Sequence, residues 1–209
     1  YNLEVGTKKV YAQNLVGSFT LFYMQREDIQ VRTSYQDDPQ DPSSYTFYTD
    51  NATSGSSYGL ELEMDYFLSP KVEIQTNLSL LKTSYDTYVV GETNIKGREF
   101  PNAPAYTLNT VLRYQVNDEF YFLTNLYFSD TFYFSNSHNQ KHPKYELVDM
   151  TIGYNFKNWD ISLWCKNIFN EESYARGFFF ANHPPDWQNE LYTQRNPPQI
   201  IGLSTRYQF

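Results

Sequence analysis

The stretch that most constrains this chain is Q-I-I-G-L-S-T-R-Y-Q-F at residues 199–209. Ile201, Leu203, Thr205, Tyr207 and Phe209 fall on one side of an extended strand, and Ile200, Gly202, Ser204, Arg206 and Gln208 on the other. Strict period-two alternation of this kind specifies a half-buried β-strand. Free termini of soluble domains usually fray into polar residues, whereas here an aromatic stays in phase with the strand to its last position. In a transmembrane β-barrel the apolar face meets lipid and aromatics gather at the two water interfaces. The stretch therefore reads as a membrane-barrel strand, with the edge strand of a soluble sheet as the alternative.

The same alternation recurs upstream. Leu3 and Val5 oppose Asn2, Glu4 and Gly6, and a strand over about 15–31 carries Phe19, Leu21 and Tyr23 on its apolar side. Tyr58, Leu60, Leu62, Met64 and Tyr66 oppose Glu61, Glu63 and Asp65. Val72, Ile74, Leu78 and Leu80 oppose Glu73, Gln75, Asn77 and Ser79. Further on, Tyr106, Leu108, Leu112 and Tyr114 oppose Thr107, Asn109 and Arg113, and the next strand carries Phe120, Phe122, Leu126 and Phe128. Val148, Met150, Ile152, Tyr154 and Phe156 oppose Asp149, Thr151, Gly153 and Asn155; Trp159, Ile161, Leu163 and Cys165 oppose Asp160, Ser162 and Lys166. This gives about nine strands, with connections of about 4, 24, 2, 14, 2, 9, 2 and 29 residues. Long polar loops are expected at about 32–55, 89–102, 135–143 and 170–198. Short turns on one side and long loops on the other are the signature of an outer-membrane barrel, because its two ends face different compartments.

The aromatics, 20 Tyr and 16 Phe, exceed what a soluble core needs. Tyr66, Tyr114, Phe120, Tyr121, Phe156, Trp159, Tyr207 and Phe209 lie beside the short turns; Tyr88, Phe132, Tyr133, Tyr145 and Phe169 lie near the long loops. Two such levels are what an interfacial belt requires. No run approaches the roughly 18 apolar residues of a membrane helix. A formal charge of −8 argues against nucleic acid as a partner, and a lone Cys165 excludes an intramolecular disulfide. An odd strand count would put the two termini on opposite sides of the membrane. Complete bacterial single-chain barrels have even counts, so the chain reads as the C-terminal part of a larger barrel.

At this point the text itself resembles a known family. Y-E-L-V-D-M-T-I-G-Y, W-D-I-S-L-W-C-K-N-I-F-N-E-E-S-Y and I-G-L-S-T-R-Y-Q-F look like the end of a TonB-dependent outer-membrane receptor. Y-G-L-E-L-E-M-D-Y and N-A-P-A-Y-T-L-N-T-V-L-R-Y are similar to its earlier strands. The resemblance implies an all-β, antiparallel transmembrane β-barrel of about 22 strands whose lumen is plugged. Residues 1–209 would supply about nine C-terminal strands of one barrel domain, the plug lying outside them. It further implies a bacterial outer-membrane protein that imports a scarce nutrient, most often a ferric siderophore, energised by the TonB complex through that plug. Outer-membrane lipid and the barrel-assembly machinery are the other implied partners, the latter reading Tyr207 and Phe209. No cofactor is implied.

Candidate chemistry is sparse. Glu61, Glu63, Asp65, Glu73, Asn77, Arg113, Asp149, Asp160, Lys166 and Arg206 share the polar faces, where they face water or a plug rather than a substrate to be cleaved. His138 and His142 sit four apart in S-H-N-Q-K-H-P-K, but Pro143 and the polar neighbours make this a loop, so the pair reads as solvated and His183 as isolated. Asp37, Asp38 and Asp41 lack the glycine and glutamate of a calcium loop and read as a charged loop. No metal site is expected. In R-G-F-F-F-A-N-H-P-P-D-W, Arg176, Phe178, Phe179, Phe180 and Trp187, followed by Tyr192 and Arg195, combine exposed rings with guanidinium donors. That set suits an anionic or catecholate iron chelate through stacking and charge-assisted hydrogen bonds. The alternative is that the Phe run packs the loop on itself. Two other readings stay open. If residues 1–9 are not a strand, the remainder is a small barrel of about eight strands, an anchor or adhesin. A protease in the barrel rim, similar to the omptins, would need paired Asp and His on facing loops.

Overall fold

Alternating β-branched, aromatic and polar residues give extended chain wherever each face has its own solvent. The computed structural model describes residues 1–38, 40–41, 44–90 and 93–209. Its strands are β1 (Asn2–Ala12), β2 (Leu15–Gln36), β3 (Tyr45–Ser69), β4 (Val72–Thr87), β5 (Val89–Val90), β6 (Thr93–Asn94), β7 (Tyr106–Gln115) and β8 (Phe120–Ser129). They continue with β9 (Phe132–Tyr133), β10 (Lys141–His142), β11 (Tyr145–Phe156), β12 (Trp159–Lys166), β13 (Tyr174–Ala181), β14 (Asn189–Arg195) and β15 (Ile200–Tyr207). Nine of them form one antiparallel sheet in the order β1-β2-β3-β4-β7-β8-β11-β12-β15. The ends of that order, β1 and β15, do not pair with each other, so the barrel is not closed within this chain.

Register carries the alternation across the sheet. One row runs Val5, Leu21, Leu60, Leu80, Tyr106, and another runs Tyr114, Phe122, Ile152, Leu163, Leu203. The opposite face pairs Thr20 with Glu61, Asn77 with Asn109, Glu73 with Arg113 and Asp160 with Arg206. All ten polar residues picked out above thus share one face. Hydrocarbon cannot solvate carboxylates, so this face is the lumen and the aliphatic face meets lipid. Three luminal glycines lie under a neighbouring ring: Gly59 under Phe22, Gly153 under Tyr121 and Gly202 under Trp164.

Short turns use local chemistry. Asn117 Oδ1 accepts from the amides of Glu119 and Phe120 at 3.0 and 2.7 Å, an Asx turn. Lys157 takes φ +53° between β11 and β12. The aromatic level beside these turns is continuous, with Phe120–Tyr154 at 4.5 Å, Trp159–Tyr207 at 4.8 Å and Tyr207–Phe209 at 5.2 Å between centroids. Tyr121 is the exception to the expected belt: its parity turns it to the lumen, over Gly153.

The long-loop side differs from expectation. Most of 32–55 is not loop, since β2 and β3 remain paired out to Gln36–Tyr45. Thr, Tyr and Ser supply β-propensity without the hydrophobicity by which strands were recognised. Residues 89–102 contain the β5–β6 hairpin, and the chain then runs along β4 as far as Ala105, with Tyr85 N donating to Arg98 O and Leu81 N to Ala105 O. Loop 135–143 overlaps the β9–β10 hairpin, and 170–198 holds the β13–β14 hairpin. Of the expected loops, Pro39, Pro42, Ser43, Gly91 and Glu92 lie outside the described residues. Asp37 Oδ2 accepts from Thr46 and Asp38 Oδ1 from Gln40 N, so both carboxylates serve the turn. Because β1 pairs along its length, the small barrel without residues 1–9 loses its basis.

Candidate functional site

Among the described residues, buried side chains gather at the long-loop end of the sheet. Val31, Tyr85, Tyr88 and Ile95 form a small apolar core, with Ile29 and Phe100 packed against it. Tyr88 therefore fills this core rather than an outer aromatic belt. Phe132 and Tyr145 are likewise drawn away from that belt, and pack on His142; Phe169 stays exposed.

Arg98 ties two loops together. Nη2 donates to Ser135 O at 2.7 Å and to His138 O, and Nη1 donates to Asn139 Oδ1 at 3.1 Å. The guanidinium lies 4.0 Å over the Tyr133 ring, whose centroid is 4.2 Å from Lys141 Nζ. Burial pushes the Arg98 pKa below its ordinary value. Glu99 next to it accepts from Lys82 Nζ at 2.9 Å, and that bond holds its carboxyl below the usual range.

His142 joins the second loop to β13. It is fully buried and touches Phe132, Phe134, Tyr145 and Tyr174 at centroid distances of 4.7 to 5.6 Å. Its Nε2 accepts from Tyr174 N at 2.9 Å and its Nδ1 donates to Pro143 O. The expectation of a solvated His138–His142 pair is thus wrong for His142, whose ring is sealed by partners distant in sequence. With both ring nitrogens used, it has no lone pair for a metal. The His138 ring meets Phe179 at 5.8 Å, tilted by 50°, and burial lowers its pKa.

The β13–β14 hairpin presents two unlike faces. Gly177 lies under Phe134, and Phe179 meets His138, so this face is packed. On the other face Phe178 is opposite Tyr192 and Phe180 opposite Glu190, with Phe180–Tyr192 at 4.9 Å. Phe178 is 49% and Phe180 41% exposed. Arg176 shares this face by parity, is exposed, and makes no ion pair among the described residues. Arg195 is instead bound to Glu172 at 3.0 Å. Trp187 sits at the tip with φ +47°, its amide donating to His183 O at 3.1 Å. The seven candidates therefore divide: Arg176, Phe178, Phe180 and Tyr192 come together, Phe179 lies on the opposite face, Trp187 is at the tip, and Arg195 is paired. His183 is not isolated; Glu190 and Tyr192 surround it. Sequence reading missed Arg98, whose partners are about 40 residues away and leave no local signal.

The hairpin base is closed by its own hydrogen bonds. Asn167 N donates to Asp149 Oδ1 at 2.8 Å, and the Asn167 side chain exchanges hydrogen bonds with the Glu171 backbone at 2.8 Å each. Gln199 Nε2 donates to Ile168 O at 2.6 Å, closing the loop where it re-enters the sheet.

The wall aligns with solved structures along nearly its whole length. It is similar to the ferric yersiniabactin uptake receptor FyuA from Yersinia pestis, with TM-score 0.77 and 18% identity over 100% of this chain and 29% of that one. The siderophore receptor PiuA from Acinetobacter baumannii gives 0.71 and 17%, over 98% and 27%. The copper transporter OprC gives 0.73 and 13%, over 100% and 32%. The chain thus spans less than a third of the length of these structures, and identities this low speak to fold alone. A family model is more specific: TonB dependent receptor-like, beta-barrel, matches residues 1–168. Lipid-facing and luminal rows, turns on one side and folded loops on the other are all parts of that barrel, and the chain belongs to the TonB-dependent receptor family of bacterial outer-membrane β-barrels.

Proposed function

We propose that this wall belongs to an active-transport receptor for a scarce nutrient, foremost a ferric siderophore, energised through TonB by a plug outside residues 1–209. The family supports transport rather than catalysis, and the luminal carboxylates serve water and plug. Glu73 and Arg113 line an open hollow of about 820 Å³ at the short-turn end, where a plug surface fits. Tyr207 and Phe209 are our candidates for recognition by the barrel-assembly machinery, and the aliphatic rows for contact with outer-membrane lipid.

One observation carries the ligand reading: on the Arg176–Phe178–Phe180 face two rings stand open beside a guanidinium with no ion pair among the described residues, whereas Tyr85, Tyr88 and Phe134 at the same end are buried. Flat catecholate rings stack on Phe178 and Phe180, and the guanidinium of Arg176 supplies charge-assisted hydrogen bonds to an anionic chelate. Tyr192 borders that face. Trp187 and Arg195 act from its periphery, Arg195 after exchanging Glu172 for the ligand, whereas Phe179 on the opposite face holds the hairpin against His138. The test is equilibrium binding of a ferric tricatecholate to outer-membrane vesicles. Arg176→Ala with Phe178→Ala should weaken it roughly 30-fold, the scale of an interface hot spot of about 2 kcal/mol. Unchanged affinity would exclude this face as the ligand contact.

A further inference from the structure

Toward the tip of the β13–β14 hairpin, the open aromatic face carries a second arrangement. His183 Nδ1 lies 3.1 Å from Glu190 Oε2, the Tyr192 phenol oxygen 3.2 Å from the same Oε2, and that phenol oxygen 3.2 Å from His183 Nδ1. Glu190 and Tyr192 are two apart on β14, so both project from one face. His183 returns to them because the tip turns back through the Trp187 N to His183 O bond. Phe180 packs on the Tyr192 ring and fixes its plane.

Hydrogen bonding explains two edges of this triangle. Glu190 Oε2 accepts from both the phenol and Nδ1, and each of those groups has a single proton, already committed. The third edge, phenol oxygen to Nδ1, is then a close approach with no proton of its own. A cation accounts for all three edges. Bonds of about 2.0–2.2 Å put neighbouring octahedral ligands roughly 2.8–3.1 Å apart, and tetrahedral ones roughly 3.3–3.6 Å. The observed triangle falls between these.

We propose that His183, Glu190 and Tyr192 form a three-donor site for a first-row transition-metal ion, with ferric iron as the favoured ion. One nitrogen and two oxygens, with no thiolate, select against soft ions; the imidazole nitrogen selects against Ca²⁺, which takes oxygen ligands. A phenol loses its proton to a strongly polarising cation, as metal-bound water does. Binding balances simply: the phenolic proton leaves to solvent and the Nδ1 proton moves to Nε2, freeing a lone pair, so each ion releases one proton. The His183 and Glu190 side chains are 65% and 53% exposed, so water or chelate oxygens can complete the shell. The site rests on this geometry and shares Tyr192 with the border of the chelate face, but it needs neither Arg176 nor Phe178.

The experiment uses the full-length receptor in detergent, titrated with iron(III) nitrilotriacetate and followed by visible absorption. One iron per protein should bind with a phenolate-to-iron charge-transfer band. Tyr192→Phe should abolish the band. His183→Ala and Glu190→Gln should each weaken binding at least roughly 10-fold, the scale seen when even an outer-shell partner is lost. Heat-modifiable migration of each variant verifies that the barrel is folded. A wild-type protein that shows no band, or a band that survives Tyr192→Phe, would overturn the proposal.

Discussion

Leu163 and Leu203 face each other across two strands of the sheet, and each leaves more than half its surface open to the membrane. Val31, Tyr85, Tyr88 and Ile95, at the long-loop end, are 3 to 6% exposed. The two regions share strands but not the physics that holds them. In the wall, the ladder satisfies every backbone group it pairs and lipid replaces a core, because hydrocarbon offers no competing hydrogen bonds. At the loop end water does compete, so order there depends on packed apolar side chains and on cations such as Arg98 that satisfy clusters of carbonyls. A side-chain change should therefore be felt differently in the two regions.

The strongest way to break this contrast is a charge in the wall. Leu163→Arg at the lipid face should cost about 2–4 kcal/mol if it lies near the midplane. The yield of folded barrel should fall, as read from heat-modifiable migration after refolding into vesicles. A normal yield would mean that this row does not face lipid.

A smaller, regional loss tests the loop end. Arg98→Ala strips donors from the carbonyls of Ser135 and His138, at a cost of about 1–3 kcal/mol. Amide hydrogen exchange over 133–142 should quicken by roughly 5- to 150-fold, the rate equivalent of that cost, while the wall amides keep their protection. If the wall amides quickened equally, the two regions would be one cooperative unit.

The smallest effect is tied to pH. His138 has its pKa lowered by burial, so the unfolded loop binds its proton more readily than the folded one. Loop stability is then complete above the ordinary imidazole value of about 6.5, and falls as the pH drops below it through the depressed folded value. Exchange at 134–140 should rise on acidification across that range, and His138→Gln should flatten the rise. A pH-independent wild type would remove His138 from the account.

The wall was legible because a two-sided environment writes itself residue by residue. Glu61, Glu63 and Asp65 could be assigned to the lumen from parity alone. The loop end was not, because its decisive partners are remote. Nothing in K-H-P-K distinguishes a buried His142 from a solvated one; the difference lies in Phe132, Phe134 and Tyr174, which close over it. I-K-G-R-E-F gives Arg98 no periodic context. The paired extension of β2 and β3 escaped because Tyr, Thr and Ser build strands without marking an apolar face. On the hairpin, the aromatic and guanidinium composition was readable, but parity separates Phe179 from Phe178 and Phe180, and Glu172 engages Arg195.

The glycines beneath rings have a bearing on how such a wall finds its alignment. A slip of one residue between strands exchanges lipid and lumen faces and is strongly opposed, but a slip of two leaves every residue on its proper side. Alternation is blind to that error. Phe22 over Gly59, Tyr121 over Gly153 and Trp164 over Gly202 are not, because each ring fits only where its neighbour has no side chain. Moved by two, Tyr121 would meet Thr151 or Asn155, and Trp164 would meet Ile200 or Ser204, side chains that occupy the ring's volume. These pairs work like the teeth of a zip: spaced across the sheet, they admit one alignment and reject its nearest neighbours.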